Sequence, residues 1–231
     1  MENPLLELQE YENLREALKK AKGPVQATGT LDSQKVHLMY WLGKDGGFPW
    51  KLVVTYDDQR AREIYDDFRS FTENVWLYPA KDLLFYSADI HGNLMTRQRI
   101  AVWRHLMEDE EGVVVTTLDG LMDHLLPLVF LKQQAVTVEN GQIMDLDEWK
   151  ERLTVLGYER TAQVDGMGQF SIRGGIVDIF PLTEEVPVRI ELWDDEVDSI
   201  RSFDPESQRS VEQLEKVTIY PAAETVLTKN S

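Results

Sequence analysis

The chain has 231 residues, of which 42% are hydrophobic and 28% are charged, a composition typical of a folded globular protein and not of a disordered tail. Its 41 acidic and 24 basic residues give a formal net charge of −17, which argues against a protein that grips DNA, because such proteins supply Lys and Arg to displace counterions. The absence of cysteine excludes disulfides and thiolate metal sites. With no apolar run long enough to cross a bilayer and no secretory signal, we expect a cytoplasmic protein without a membrane partner.

The first half of the chain alternates predicted helices with predicted strands. Apolar spacing predicts helices at residues 8–18 and 33–42, a helix after an N-cap at Asp57, and a helix at 96–107. Predicted strands lie between them at residues 25–28, 51–56, 75–78 and 113–117. Strands separated by helices of this length pair in parallel, so this half predicts an α/β lobe with a doubly wound parallel sheet.

From about Phe130 the pattern changes to strands at short spacing, with one helix at 146–156. Apolar and polar residues alternate at period two through residues 169–204, as in Phe170 and Ile172 against Ser171 and Arg173. Such alternation indicates strands with one buried and one wet face. This half therefore predicts a smaller α+β domain with mainly antiparallel strands.

The segment GTLDSQKV, which begins at Gly29, lies where a phosphate-binding loop would follow the predicted strand 25–28. A P-loop reads G-x-x-x-x-G-K-[ST]. Gly29 and Lys35 are in register, and Ser33 lies between them. Gln34 replaces the second glycine, however, and Val36 replaces the hydroxyl that would bind magnesium. Two interpretations remain, a chance lysine in an ordinary loop or a degenerate nucleotide site, and both predict no ATP hydrolysis.

No other pattern in the sequence predicts enzyme chemistry. The acidic run 184–215 holds eleven acidic and three basic residues, and we interpret it as a solvated face, because the cluster at 194–196 lacks the glycine turn of a calcium loop. The four histidines are scattered, and no Gly-x-Ser-x-Gly nucleophile turn is present. We expect no catalytic residue and no metal site.

Four motifs carry a resemblance to known families: GYERTAQV, GQFSIRGGIVDIFP, PVRIELWDDEVDSIRSFDPESQR and VTIYPA. They resemble the second domain of the UvrB excision-repair proteins and, more closely, the matching domain of the transcription-repair coupling factors (Mfd). The resemblance is tight over residues 157–222 and loose over 1–128. It implies a degenerate ATPase-like lobe at 1–128 (UvrB domain 1a-like) and a UvrA-docking domain at 129–208 (UvrB domain 2-like). The start of a returning lobe segment (domain 1b-like), cut short, is expected at 209–231.

The resemblance also implies a function and a partner. In these families the second domain docks UvrA, the damage-recognition ATPase. We therefore expect a non-catalytic N-terminal module that recruits UvrA to stalled RNA polymerase. The module would need no cofactor, since RNA polymerase, DNA, ATP and magnesium would be bound by domains outside this chain. We expect it to be a monomer.

The alternative is a UvrB-like DNA-binding or nucleotide-binding repair fragment. UvrB proteins carry a long aromatic hairpin after the third strand, and the path from Tyr78 to Thr96 leaves no room for one. Phe85, Tyr86 and His91 are then expected to pack within a loop and not to stack on bases. A test for ATP binding and a gel shift at low salt distinguish these alternatives.

The family's UvrA-contacting residues correspond here to Arg160 and Arg173. Ser171 stands where UvrB proteins have a further arginine. Phe180 is the expected apolar companion, and the alternative for this side chain is a place in the core. Alternation predicts both arginines on neighbouring strands of one hairpin, facing water, where arginine favours partner contacts. The other possibility is that each arginine pairs only with an acid of the same sheet, such as Asp165, Asp178 or Glu191.

Overall fold

The computed structural model describes residues 2–81, 89–122 and 127–224. The chain divides into two compact units, residues 1–80 with 109–122 and residues 81–108 with 123–231. The second unit thus takes in the segment 81–108 and the residues after 208, which the sequence assigned to the lobe. None of the helices within the described ranges is long and apolar enough to span a bilayer.

The elements are numbered in chain order. After a 3-10 turn at Pro4–Glu7, the helices are α1 (Gln9–Lys20), α2 (Asp32–Asp45), α3 (Asp58–Phe68), α4 (Asp89–Glu108), α5 (Leu118–Leu121), α6 (Leu128–Gln134) and α7 (Leu146–Val155). The strands are β1 (Trp50–Thr55), β2 (Val75–Tyr78), β3 (Gly112–Thr117), β4 (Val136–Glu139), β5 (Glu159–Arg160), β6 (Gln169–Arg173), β7 (Ile176–Ile179), β8 (Val188–Trp193), β9 (Glu196–Phe203), β10 (Ser210–Leu214) and β11 (Lys216–Ile219).

The first unit is built on a parallel three-stranded sheet in the order β1-β3-β2. Val115 of the central strand is fully buried and pairs with Val53 and Leu77. Helix α3 packs its apolar stripe, which includes Ile64 and Phe68, into the same core. The predicted parallel pairing is confirmed.

Two local predictions in the first unit have different outcomes. The N-cap at Asp57 is confirmed, since its Oδ1 accepts a hydrogen bond of 2.7 Å from the backbone N–H of Arg60. The predicted strand at 25–28 is wrong, because these residues have no regular structure. A short apolar run becomes a strand only when another strand pairs with it.

The second unit contains a six-stranded sheet in the order β10-β9-β8-β7-β6-β5. Neighbouring strands are antiparallel except β5 and β6, which are parallel. One face of this sheet shares a core with α7 and with the antiparallel pair β4–β11, through residues that include Trp149, Leu153, Phe170, Val177, Ile190 and Ile219. The opposite face is only partly covered, by a small cluster of Val164, Phe180 and Phe203 with Met167. The predicted α+β architecture with mainly antiparallel strands is confirmed.

Ion pairs attach helix α4 to the second unit. Arg99 is fully buried and its Nε lies 2.6 Å from Glu224 Oε1. Arg104 reaches the carbonyl of Thr183 at 3.0 Å, and Arg97 pairs with Glu185 at 2.5 Å. A buried arginine needs such a partner, which explains why α4 belongs with this unit.

Candidate functional site

The candidate site lies on the partly covered face of the six-stranded sheet, next to the turn between β6 and β7. Gly174 has a φ of +59°, a conformation that other residues rarely adopt. A Cβ on Gly175 would lie 3.0 Å from the carbonyl oxygen of Leu192, so a side chain there would push against β8. This turn fixes Arg173, the last residue of β6, at the end of a tightly constrained hairpin.

A buried carboxylate holds Arg173 in place. Asp178 on β7 is fully buried and lies between Ser171 on β6 and Arg189 on β8 in the sheet register. Its Oδ2 accepts a hydrogen bond of 2.7 Å from Arg173 Nη2, while half of the Arg173 side chain stays exposed. The predicted pairing of Arg173 with an acid of the sheet is therefore present, and it leaves this guanidinium partly accessible.

Arg189 completes the pairing of Asp178. It donates bonds of 2.6 and 2.9 Å to the two carboxylate oxygens, and its guanidinium carbon lies 4.5 Å from the centre of the Phe203 ring. The hydrogen bond to Asp178 raises the pKa of the Arg189 guanidinium. The sequence did not lead us to predict Arg189 as a site residue. The alternation along β8 does indicate that Arg189 lies on the polar face, together with Glu191.

A further ion pair continues the same face toward the hairpin of β8 and β9. Glu191 pairs in register with Ile176 and Ser199, and its carboxylate accepts a hydrogen bond from Arg201 on β9. Alternate charges therefore cross four strands, β6 to β9, on one face of the sheet. We call Arg173, Asp178, Arg189, Glu191 and Arg201 the charged strip.

Two predicted site residues lie beneath this surface. Ser171 is 2% exposed, and its hydroxyl donates to the carbonyl of Ala162 at 3.1 Å. Phe180 is 6% exposed and packs with Val164 and Phe203. The segment before β6 covers both side chains in this chain, and their role as partner contacts stays a prediction.

Arg160 occupies a different place from the predicted one. It is exposed on β5, which pairs in parallel with β6 and does not form a hairpin with it. Arg160 pairs in register with Phe170, whose side chain is in the core. Phe170 lies three residues before Arg173 on β6. Since successive side chains alternate across a sheet, the register places the two arginines on opposite faces.

In the first unit, two side chains of the segment that resembles a P-loop bond to other groups of the same segment. Gln34 Oε1 accepts a bond of 3.1 Å from the backbone N–H of Leu31, at the start of α2. Lys35 Nζ lies 2.8 Å from Asp32, and this hydrogen bond lowers the pKa of the Asp32 carboxyl. Val36 is 1% exposed within the core. Gly29 lies outside any helix or strand, and Ser33 lies in α2 with its side chain outside the described residues.

A cavity of about 260 Å³ in the first unit lies elsewhere. Its lining includes Lys44, Lys51, Asn74 and Gly112, at or near the amino ends of the parallel strands, and none of residues 29–36. Ligands of open α/β sheets bind at the carboxyl ends of the strands instead.

The described residues contain no group of three or more His, Asp or Glu able to hold a metal ion. Phe85 and Tyr86 lie outside the described residues, as does the side chain of His91.

Comparison with known proteins identifies the class to which the second unit belongs. Residues 136–224 match the family model described as the UvrB interaction domain. This range includes the six-stranded sheet and the whole charged strip.

Curated relatives place this domain in a particular protein family. The chain is 38% identical over 178 residues to the transcription-repair-coupling factor of Bacillus subtilis (strain 168), covering 76% of this chain and 15% of that protein. It is 34% identical over 180 residues to the factor of Staphylococcus aureus (strain MRSA252), and 35% over 179 residues to that of Staphylococcus haemolyticus (strain JCSC1435), each match covering 77% of this chain and 15% of the relative. The chain therefore belongs to the family of transcription-repair-coupling factors, as a segment that carries a UvrB interaction domain. It spans about one seventh of the length of these relatives, and the resemblance that its motifs predicted is confirmed.

Proposed function

We propose that this chain is a non-catalytic N-terminal module of a transcription-repair coupling factor that docks UvrA through the charged strip. By docking there, the module would recruit UvrA to sites of stalled RNA polymerase. RNA polymerase, DNA, ATP and magnesium would be bound by other parts of the longer protein, and the module would act as a cytoplasmic monomer.

One observation carries the docking proposal: Arg173 is half exposed, yet its guanidinium is held at 2.7 Å by a carboxylate that is completely buried. A side chain held in this way loses little conformational entropy when a partner binds it. Arginine on a rigid element is also enriched among residues that dominate binding energy. Arg160 stays in the proposal as a separate contact at the edge of the sheet.

The first unit fits a degenerate ATPase-like lobe better than a working one. A phosphate at the start of α2 would bind to backbone N–H groups there, and that of Leu31 already donates to Gln34 Oε1 at 3.1 Å. The ammonium group of Lys35 pairs with Asp32, whose own charge would repel a phosphate. Val36 is buried and has no oxygen to offer magnesium.

Isothermal titration of UvrA with the wild-type chain and with Arg173→Ala tests the docking proposal. Losing one member of a desolvated charged contact costs about 2–5 kcal/mol, so the substitution should weaken binding by at least about tenfold. Arg152→Ala is the matched control, because Arg152 is exposed on α7, which packs on the other face of the sheet.

Three results are distinguishable. Loss of affinity in Arg173→Ala alone, with an unchanged circular dichroism spectrum, supports both the partner and the site. Equal binding by wild type, Arg173→Ala and Arg152→Ala would keep the partner and remove the charged strip as its site. A wild-type chain that does not bind UvrA at all would overturn the proposed function.

A further inference from the structure

The tip of the β8–β9 hairpin carries a row of three side chains that does not belong to the charged strip. Trp193 pairs with Glu196 across the hairpin, and Glu196 pairs in turn with Ile143. Directly opposed residues share a face, with Cβ atoms about 4.5–5.5 Å apart. Glu196 therefore has an indole on one side and an isoleucine on the other. We call Trp193, Glu196 and Ile143 the tip row.

The tip row is both exposed and anchored. Trp193 is 81% exposed, more than any other large hydrophobic side chain in the described ranges, and Ile143 is 62% exposed. Two backbone hydrogen bonds flank the Ile143–Glu196 pair and fix it: Met144 N–H donates to the carbonyl of Asp195 at 2.8 Å, and Val197 N–H donates to the carbonyl of Gln142 at 2.9 Å. Rigid apolar groups of this size in contact with water favour burial against another molecule.

The charges around the row determine what it can accept. Asp194, Asp195 and Asp198 surround Glu196 in the sequence, and no Lys or Arg lies between Arg189 and Arg201. A phosphate or an acidic peptide would be repelled here. A lysine or arginine side chain matches all three members, since its aliphatic stem can pack on Ile143 and Trp193 while its charge meets Glu196 and the indole face.

The tip row continues the face that holds the charged strip. Leu192 packs toward the core, so its neighbours Glu191 and Trp193 both point to the opposite face. Trp193 lies two residues beyond Glu191, about 7 Å along the strand. The register of β8 with β9 shifts between Glu191 and Leu192, because β9 has one extra residue there, but the alternation along β8 itself continues. A protein that covers Arg173 and Glu191 therefore lies within one strand repeat of Trp193.

We propose that the tip row is a second contact of the docking surface and that it binds an arginine or lysine side chain of the docked protein. This inference rests on the proposed function, because it takes UvrA as that protein. It adds an opposite polarity to the surface: the charged strip offers Arg173 to an acidic group, and the tip row offers Glu196 to a basic one. Two contacts of opposite charge fix the orientation of a partner as well as its affinity.

Titrations of UvrA with Trp193→Ala, Trp193→Phe and Glu196→Gln, each at low and at moderate salt, test the inference. Trp193→Ala should weaken binding by about tenfold or more, as expected for an aromatic anchor, whereas Trp193→Phe should keep most of the affinity. Glu196→Gln should weaken binding mainly at low salt and so reduce its salt dependence. The matched controls are Val129→Ser, exposed on α6, and Glu212→Gln, exposed on the edge strand β10, and both should bind as wild type does.

The outcomes separate this inference from the proposed function. If Arg173→Ala loses affinity while Trp193→Ala and Glu196→Gln bind normally, the tip row is not a contact and the docking proposal stands. If Trp193→Ala weakens binding but Glu196→Gln does not change its salt dependence, the cationic occupant is wrong. If the wild-type chain fails to bind UvrA, both proposals fall together.

Discussion

Replacing Asp178 should destabilise the second unit far more than replacing Arg173. Asp178 is completely buried and accepts three charge-assisted hydrogen bonds, at 2.6 and 2.9 Å from Arg189 and at 2.7 Å from Arg173. Asp178→Ala leaves Arg189, whose side chain is only 16% exposed, without its carboxylate. Breaking a buried pair by removing one partner costs about 3–5 kcal/mol, and we expect a loss in that range.

The expectation for Arg173→Ala is different because half of its side chain is already in solvent. Exposed ion pairs contribute about 0–1 kcal/mol, and Asp178 keeps both of its bonds to Arg189 in this variant. The loss should therefore stay below about 1 kcal/mol. Arg173 is thus predicted to contribute little to folding and much to binding, which is the behaviour expected of a contact residue.

Native-state hydrogen exchange measures both losses. The amides of β6, β7 and β8 report the opening free energy of the second unit, and those of β1 and β3 serve as an internal control in the first unit. Faster exchange confined to the second unit in Asp178→Ala, with little change in Arg173→Ala, agrees with the reasoning. Equal losses in the two variants, or a loss below about 1 kcal/mol in Asp178→Ala, would refute it.

The other predictions concern titration, a buried ion pair and nucleotide binding. Burial, together with the hydrogen bond to Asp45, raises the pKa of Tyr11 from 10.0 to about 12. The stability that this phenol contributes is complete below pH 10 and is lost as the pH rises toward about 12, so Tyr11→Phe should remove that part of the alkaline unfolding seen by circular dichroism. Glu224→Ala should cost about 3–5 kcal/mol in denaturant unfolding, because it leaves the buried Arg99 without the carboxylate at 2.6 Å, whereas a loss under about 1 kcal/mol would mean that this pair is dispensable. A fluorescent ATP analogue should not bind at micromolar concentration, and binding that disappears in Lys35→Ala would contradict the assignment of a degenerate loop.

The sequence predicted those parts of the fold that depend on local periodicity. Alternation over residues 169–204 located β6 to β9, and the spacing of helices and strands predicted the parallel sheet around Val115. The strand expected at 25–28 failed because pairing is a long-range property, and no described strand lies beside these residues to complete their hydrogen bonds.

The candidate site was only partly predictable, for a related reason. Period two separates the two faces of a strand but does not say whether both are covered, and so it did not show that Ser171 and Phe180 are both buried. The position of Arg160 also depended on pairing. A hairpin was expected to place Arg160 and Arg173 on the same face, whereas the parallel register of β5 with β6 places them on opposite faces. The link between Arg173, Asp178 and Arg189 became visible only when three strands were placed in register.

Competition between this chain and UvrB for UvrA tests the central claim most directly. If the UvrB interaction domain docks UvrA through the charged strip, labelled chain should bind UvrA saturably and unlabelled UvrB should displace it completely. Arg173→Ala, in the same assay, should fail to compete with the wild-type chain. Absence of binding, binding that UvrB does not displace, or displacement by Arg173→Ala as effective as displacement by unlabelled wild-type chain would contradict the account.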